Sequence, residues 1–423
     1  MSSYTSVSVA AKPLILVFPF GVLSHYLRCI ILCRHFSRYF DVRIAYHPDF
    51  TSFIEQEGIH TFHCSAIDAS SAVDSIKQFD FSWMNESVLE QVYLEQVKVI
   101  RQLKPVAVLG DHSPTLKMSA ETSSVTFISL INGYMSKYYA GHRKISRTHP
   151  AYKFVTSLPS PVKMLLTKLG EAQAFGQLHK PFRKIRQRYQ LASGNGYLDE
   201  LEGDINLVCD LQDLFPQRQM PSHYQLISPL FYEASLKVCD QNARSDKSKK
   251  TILATMGSTG DWSKLSFLND PYYKKYNVVA TGDAERVLQA AHILHLPFVN
   301  IHELFPAIDL MICHGGNGTI YQALLYQVPV LCKTSHCEQE WNIDALEKKQ
   351  LGKNLDKISG CVRHQKIIEE WIQKKGHPPF RIFSEKIKKE ALLLPGIIKQ
   401  VADGVSEDVS AVEKINEQAL MQP

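Results

Sequence analysis

The six residues from His314 to Thr319, with the sequence HGGNGT, carry the strongest chemical signal in the chain. Glycines without side chains let backbone N–H groups approach an anion closely. A helix beginning near Thr319 would add about half a positive charge at its N-terminus. The His314 ring and the Thr319 hydroxyl would be further donors. This set of donors fits a diphosphate, although an ordinary tight strand-to-helix turn explains an isolated HGG triplet more simply.

Two residues suited to proton chemistry follow apolar runs in the first half of the chain. His25 heads a helical pattern after the strand-like run Pro13 to Phe18, and Asp111 ends a run that begins at Pro105. Open α/β sheets bind ligands at the carboxyl ends of their strands, where both residues would lie. Each also has a simpler explanation, as a surface histidine and as the N-cap of a helix.

The composition is that of an ordinary globular protein. The 423 residues are 45% hydrophobic and 21% charged, which suggests two or three domains. Nine cysteines without a C-x-x-C pair favour reduced thiols and a cytoplasmic setting. The N-terminus lacks the basic region of a signal peptide, and no apolar run approaches the ~20 residues of a membrane-spanning helix. We therefore expect a cytoplasmic protein, with peripheral contact at the inner face of the membrane as the alternative.

Short apolar runs alternate with helical patterns twice along the chain, which predicts two Rossmann-like α/β domains. The first unit would cover residues 1–232, and the second would cover 251–400. The polar stretch 233–250 is predicted as the linker, a strand is predicted at 298–301, and 401–423 as a C-terminal tail. Two such domains would face one another, with the site in the cleft between them.

A basic segment at 131–190 follows a predicted strand of the first unit. It holds twelve Lys or Arg against one acid, Glu171, and reads as helical stretches at 160–169 and 175–191 broken by prolines, including Pro181. We expect an insertion or lid over the ligand face of the first domain. A solvated basic face, contact with an anionic membrane and contact with an acidic acceptor remain open. No nucleic-acid motif accompanies the charge, so nucleic acid is not an expected partner.

The second half contains an ordered series of matches to one family. They are Gly257-Ser258, Leu304-Phe305 before Pro306 and Asp309, HGGNGT, Ala323-Leu324, Val328-Pro329, and Glu338-Gln339 before Asn342 and Gly352. With these matches the chain resembles a GT-B-fold glycosyltransferase, close to the macrolide-type bacterial branch of the UDP-glycosyltransferase superfamily. The resemblance implies an α/β GT-B fold with the active site in the interdomain cleft. The first domain, 1–232, would then bind the acceptor, and the second, 251–400, would bind a nucleotide sugar.

The resemblance also implies roles for residues of the second domain. The donor diphosphate would be held by Ser258, His314, Gly316, Asn317, Gly318 and Thr319. Glu338 and Gln339 stand where the family holds the hydroxyls of the transferred sugar, and Glu338 replaces the usual Asp. Gln322 stands where the family usually places a Glu on the nucleotide ribose, so a charge-assisted bond about twice as strong as a neutral one is forgone.

In the first domain the match is looser. His25 with Leu32 and Phe36 fits the spacing of the family's catalytic histidine, although Arg28 replaces the usual proline. Asp111 fits the partner of that histidine. The resemblance thus implies His25 as the general base and Asp111 as the group that orients its ring.

The reaction implied is metal-independent, inverting transfer of a hexose from a UDP-sugar, with a dTDP-sugar as the alternative, to a hydroxyl of a small hydrophobic acceptor. The nucleotide sugar is a co-substrate, and no other cofactor and no metal are expected. Three alternatives remain. They are a membrane-surface enzyme with a lipid acceptor, a catalytically weak protein that binds nucleotide sugars, and a GT-B sugar-nucleotide epimerase. The epimerase would need acid and base groups at the face of the sugar ring, and the sequence identifies none.

Overall fold

The structure is a computed structural model that describes residues 11–233, 246–296 and 301–420. Most of the predicted linker, residues 234–245, lies outside these ranges, as do residues 298–300 of the strand predicted at 298–301. The nearest strand found is at Ile293–Leu296, and a short helix begins at Ile301.

The first sheet has seven parallel strands in the order β3-β2-β1-β4-β5-β6-β7. Its strands are β1 (Leu14–Pro19), β2 (Asp41–Ala45), β3 (His60–Phe62), β4 (Ala107–Asp111), β5 (Thr126–Ile131), β6 (Ile205–Cys209) and β7 (Tyr224–Ile227). Its helices are α1 (Leu23–Phe36), α2 (Thr51–Gln56), α3 (Ala69–Lys77), α4 (Glu86–Leu103), α5 (Leu116–Ser123), α6 (Tyr152–Ser157), α7 (Ser160–Arg188) and α8 (Tyr197–Glu200).

The second sheet has six parallel strands in the order β10-β9-β8-β11-β12-β13. Its strands are β8 (Thr251–Thr255), β9 (Asn277–Thr281), β10 (Ile293–Leu296), β11 (Leu310–Cys313), β12 (Val330–Cys332) and β13 (Gly352–Asn354). The helices are α9 (Ile301–Leu304), α10 (Asn317–Leu325), α11 (Cys337–Lys348), α12 (Cys361–Trp371), α13 (Pro378–Ala391) and α14 (Leu394–Leu420). The two all-parallel sheets confirm the predicted α/β class with two Rossmann-like units.

Both sheets reverse their strand order beside a central strand, and this reversal positions the candidate site. In the first sheet β1 lies between β2 and β4, and in the second β8 lies between β9 and β11. Ligands of open α/β folds bind outside the carboxyl ends of strands at such reversals. His25 follows β1, Asp111 ends β4, Ser258 follows β8 and His314 follows β11.

Helix α14 packs against the first domain, and the boundary predicted at residue 400 falls inside this helix. The residues it buries in the first core recur at helical spacing: Leu394, Ile398, Val401, Ala402 and Val405. They pack beside α1 and β7. In return, Tyr134, Leu211, Leu214 and Phe215 of the first domain pack into the core of the second. Residues 401–420 of the predicted tail are therefore helical, and the apolar side chains at the start of this range pack against the first core.

Helix α7 is continuous from Ser160 to Arg188, so the prediction of two separate helices at 160–169 and 175–191 is wrong. The helix also continues without a break through Pro181. A proline removes one hydrogen bond and usually kinks a helix. Here the next turns are fixed by burial of Phe182 and Ile185, and the buried Arg186 donates to Glu200 at 2.7 Å. These tertiary contacts hold the turns that follow the proline.

Candidate active site

The His25 and Asp111 side chains meet at the carboxyl ends of β1 and β4. His25 Nδ1 lies 2.9 Å from Asp111 Oδ1, and 19% of the His25 side chain is exposed while Asp111 is buried. The register of the sheet explains the meeting, because Asp111 pairs with Pro19, six residues before His25. When Nδ1 donates to Asp111, the second ring nitrogen, Nε2, is free to accept a proton.

Arg28, one turn along α1 from His25, binds the same carboxylate. Its Nε donates to Asp111 Oδ2 at 3.0 Å and its Nη2 donates to Oδ1 at 2.6 Å. The Arg28 Nη2 atom also lies 3.1 Å from His25 Nδ1, and this closeness follows from the acceptor that both share. Burial alone would raise the pKa of Asp111, but the Arg28 charge, assisted by His25, holds it below its usual value.

A chain of hydrogen bonds continues from Arg28 into the second domain. Arg28 Nη1 donates to Asn132 Oδ1, and Asn132 Nδ2 donates to the Tyr134 hydroxyl. Tyr134 in turn donates to Glu338 Oε1, which Asn132 Nδ2 also approaches at 3.4 Å. The predicted base and the predicted sugar-binding acid are therefore linked across the cleft by side chains of the first domain.

The His314 ring lies enclosed by glycines on the donor side of the cleft. A Cβ added at Gly257 would come within 2.7 Å of the ring, and one added at Gly316 within 2.4 Å. Gly257 has φ +54 and Gly315 has φ +90, a conformation that glycine adopts most easily. Within the described residues His314 Nδ1 is buried without a hydrogen-bond partner, and burial lowers the pKa of the ring to about 4. His314 is thus neutral at pH 7 and can offer one N–H to a ligand.

Helix α10 begins at Asn317, two residues before the predicted start. Its N-cap is Gly316, and no side chain caps the first turn, so the N-terminal N–H groups stay available to an anion. The Asn317 side chain has another partner, because its Nδ2 donates to Asp210 of the first domain at 2.8 Å. Gly318 has open space around it and Thr319 is half-buried.

The other residues predicted to bind the donor differ in their exposure and in the hydrogen bonds they already make. Ser258 is exposed after β8, whose Thr255 pairs with Cys313 at the end of β11, so its loop adjoins the glycine turn. Gln322 is half-buried on α10. Gln339 is buried, its Oε1 accepts from the Ser335 N–H at 2.7 Å, and its Nε2 donates to Thr259 at 3.3 Å. Gln339 therefore ties α11 to the loop after β8.

Sequence reasoning missed several residues that line the site. It did not predict that Arg28 binds Asp111, and it assigned no role to Asn132, Tyr134 or His112. The His112 ring centre lies 6.0 Å from that of His25, and burial lowers the pKa of His112 to about 4. His112 has φ +54, a conformation that costs a non-glycine residue about 1 kcal/mol or more and recurs at functional sites. Its position directly after Asp111 was the signal available in the sequence.

Part of the predicted lid docks on α11 of the second domain. The Arg147 N–H donates to Glu340 Oε2 at 3.1 Å, the Ser146 hydroxyl donates to Oε1 at 3.2 Å, and Trp341 Nε1 donates to the Lys144 carbonyl at 2.8 Å. Burial raises the pKa of Glu340 to about 7, although these donors oppose the shift. The segment thus closes one side of the cleft beside Glu338.

Among the described residues, no group of three or more His, Cys, Asp or Glu side chains has an arrangement that could hold a metal ion. The chemistry available is a histidine–carboxylate pair facing a turn that can bind an anion.

Known proteins resemble the chain in both sequence and structure, although no protein-family model matches it. It is 23% identical over 343 residues to a PGL/p-HBAD biosynthesis glycosyltransferase of Mycobacterium tuberculosis, covering 78% of each chain. It is 24% identical over 268 residues to a PGL/p-HBAD biosynthesis rhamnosyltransferase of Mycobacterium bovis, covering 62% of this chain and 58% of that protein.

Solved glycosyltransferase structures superpose on most of the chain. The glycosyltransferase VinC in complex with dTDP superposes with a TM-score of 0.62 at 18% identity, over 92% of this chain and 99% of that one. The spinosyn rhamnosyltransferase SpnG with its spinosyn aglycone superposes with a TM-score of 0.61 at 14% identity, over 92% and 99%. The chain therefore has the GT-B fold of glycosyltransferases.

Within that class, the structural neighbours confirm the resemblance to the macrolide-type branch. The sequence relatives support glycosyltransferase activity for this protein.

Proposed function

We propose that the protein is an inverting, metal-independent glycosyltransferase that moves a hexose from a nucleotide diphosphate sugar to a hydroxyl of a small hydrophobic acceptor. A UDP-sugar is the preferred donor, and a dTDP-sugar, the nucleotide in the VinC structure, is the alternative. The observation that carries the proposal is the 2.9 Å contact between His25 and Asp111 at the reversal point of the first sheet.

In the proposed reaction His25 is the general base. Its Nε2 takes the proton of the acceptor hydroxyl while Asp111 holds Nδ1 and stabilises the charged ring. The acceptor oxygen forms its bond to the anomeric carbon as the bond to the diphosphate breaks on the opposite face. The configuration at that carbon is therefore inverted.

The leaving diphosphate would be held by the donor turn. Backbone N–H groups at the start of α10 and the neutral His314 ring point their dipoles to where negative charge develops. Thr319 and Ser258 add hydroxyl donors in this proposal, and Glu338 with Gln339 holds the sugar hydroxyls. Because these donors neutralise the leaving group, the mechanism needs neither a metal ion nor another cofactor.

Aromatic rings around the proposed base favour a hydrophobic acceptor. The Phe20 ring centre lies 5.8 Å from that of His25, 6.2 Å from Trp83 and 6.3 Å from His112. Flat apolar surfaces of this kind bind ring systems or acyl chains and leave a hydroxyl near His25.

The test has two parts. A thermal-shift panel of UDP-, dTDP- and GDP-sugars should give its largest stabilisation with one UDP- or dTDP-sugar. NMR of the sugar released by slow hydrolysis of that donor should then show the inverted anomer first. Failure of every nucleotide sugar to shift the melting temperature contradicts the donor assignment, and a retained anomer contradicts the mechanism.

A second candidate function is nucleotide-sugar binding without efficient transfer. It is favoured by Arg28, whose two hydrogen bonds to Asp111 compete with His25 for the charge of the carboxylate. Donor hydrolysis that disappears in a His25→Ala variant, while the thermal shift with the nucleotide sugar persists, contradicts this candidate. A thermal shift without any turnover supports it.

A further inference from the structure

Helix α6 and the first half of α7 expose a dense set of large apolar side chains. In the described residues, five of the eleven exposed large hydrophobic side chains fall between positions 154 and 169. They are Phe154, Val162, Met164, Leu165 and Leu169, with exposed fractions of 64%, 44%, 46%, 58% and 58%. We call this set the α6–α7 surface.

These side chains form one surface and are not scattered. Val162, Leu165 and Leu169 are spaced three and four residues apart, so they lie on one face of α7. Phe154 lies on α6, which contacts α7. Leu166 is half-buried at the edge of this face, and Thr167 is half-buried on the other side of the helix. An apolar face turned toward solvent in this way marks an interaction site.

The positive charge of the basic segment is divided between paired and unpaired cations. Six of its twelve cations form ion pairs with acids: Lys137, Arg143, Lys144, Lys184, Arg186 and Arg188. Glu171, the one acid of the segment, pairs with Arg143. For Lys153, Lys163 and Lys168 the described residues offer no carboxylate within ion-pair distance. The unpaired charge therefore includes three lysines from the same stretch of chain as the exposed apolar side chains. Lys153 and Lys168 are exposed, and Lys163 is half-buried.

We propose that the α6–α7 surface docks on the surface of an anionic phospholipid bilayer. Apolar side chains can enter the boundary between headgroups and acyl chains while lysines extend to the anionic headgroups. A protein partner fits less well, because the cores of protein interfaces are depleted of lysine. No helix within the described residues is long and apolar enough to cross a bilayer, so the contact is peripheral.

The surface lies close to the cleft along the chain. Phe154 is seven residues after Arg147, whose N–H binds Glu340, so it stands within about 25 Å of that contact even if the chain were fully extended. A docked protein would hold the acceptor side of the cleft near the bilayer. The docking itself depends on no step of the proposed glycosyl transfer.

Co-sedimentation of the full chain with vesicles tests the proposal. Vesicles of phosphatidylcholine with phosphatidylglycerol should bind the protein at low salt, and phosphatidylcholine alone should bind it weakly. Added salt should weaken the binding, because it screens exposed charges. Replacing Lys153, Lys163 and Lys168 with Gln should lower the partition coefficient about fivefold per lysine, which is about 100-fold in total.

Two further variants separate the apolar from the charged contribution. Leu165→Ser with Leu169→Ser should lower the partition coefficient at least about tenfold without changing the net charge. The matched controls lie on the second domain: Lys348→Gln, Lys349→Gln and Lys389→Gln for charge, and Val362→Ser with Ile382→Ser for apolar area. The controls should bind as the unmodified protein does.

Three results would overturn the proposal. They are absence of binding to anionic vesicles, equal loss in test and control variants, and a dimer in sedimentation velocity that the Leu165→Ser, Leu169→Ser variant abolishes. The last result would assign the surface to a second copy of the chain. Donor thermal shifts, measured on the same variants, should stay unchanged, so this outcome is distinguishable from a failure of the proposed transferase function.

Discussion

The proposed donor turn is built from backbone N–H groups of consecutive residues, whereas the proposed proton-transfer pair is built from side chains of separate elements. Around His314, three glycines and an uncapped helix start leave donors free and one ring nitrogen without a partner among the described residues. Around His25, the side chains that link Asp111 to Glu338 Oε1 are already hydrogen-bonded to one another, namely Arg28, Asn132 and Tyr134. The donor half is thus open to a ligand, while the catalytic half is tuned by its neighbours.

This contrast has a practical consequence. A substitution on the donor side should weaken donor binding and the stabilisation of the leaving diphosphate, and leave the pH dependence of the rate unchanged. A substitution on the His25 side should act on the rate and its pH dependence and leave donor binding intact. The following variants test that separation.

The largest effect is expected for His25→Gln. Removing the general base should lower the rate of transfer or donor hydrolysis about 10²- to 10⁴-fold, because glutamine cannot take the proton. The thermal shift produced by the nucleotide sugar should remain. The measurement is a steady-state rate combined with a donor titration, and a variant that loses donor binding as well would break the separation.

Gly316→Ala is the matching change on the donor side. Its Cβ would fall 2.4 Å from His314 Nε2, so the ring must move away from the ligand. We expect donor affinity to fall about 10- to 100-fold, as overpacking of this kind costs about 1–3 kcal/mol. Gly396→Ala on α14 is the control, because nothing lies within 4 Å of its added Cβ. Unchanged donor affinity in Gly316→Ala would contradict the role of the turn.

Arg28→Met sharpens the catalytic side of the comparison. Without the guanidinium, the buried Asp111 carboxyl loses the charge that holds its pKa below the usual value. The acidic limb of the kcat/KM profile should then move to higher pH, because Asp111 protonates at a higher pH and no longer stabilises the charged ring.

The variant also leaves a buried carboxylate short of a partner, so its thermal stability should fall. Arg28→Lys keeps the charge and should show a smaller shift, which separates the electrostatic effect from misfolding. A profile that does not move in either variant would show that Arg28 serves packing only.

The smallest effect is expected for Glu340→Gln at the docked segment. The pKa of Glu340 is raised to about 7 in the folded protein, so the folded state binds a proton that the unfolded chain has released. Stability is therefore lost as pH rises from about 4.5 to about 7.

Glutamine keeps an oxygen that accepts from the Arg147 N–H but does not titrate. The pH-dependent fall in the free energy of unfolding should therefore be about 1 kcal/mol smaller in the variant, a small effect because the carboxylate is partly solvated. Urea unfolding at pH 5 and pH 8 measures the difference between the two proteins. An identical pH dependence in both would mean that Glu340 does not titrate in this range.

The sequence predicted most of the fold and of the donor turn. The strand runs, the glycine turn and the GT-B resemblance led to two parallel sheets, which the structure confirms. His25 and Asp111 were predicted as partners, and their side chains lie 2.9 Å apart. The predicted roles of the site residues remain predictions that the variants above test.

Other features required the assembled structure. Half of the cations in the basic segment form ion pairs, and these pairs join residues far apart in the chain, such as Arg188 and Glu86. Pro181 inside α7 is tolerated because later turns are packed in the core. The return of α14 to the first domain likewise depends on an apolar groove beside α1 and β7.

The physical reason for this division is the range over which each determinant acts. Apolar periodicity, glycine conformation and a helix start are local, so the sequence by itself determined the sheets and the glycine turn. Charge pairing and side-chain relays are non-local. Only the tertiary structure decided that Arg28 binds Asp111, that Tyr134 reaches Glu338, and that Lys153, Lys163 and Lys168 remain unpaired beside an apolar surface.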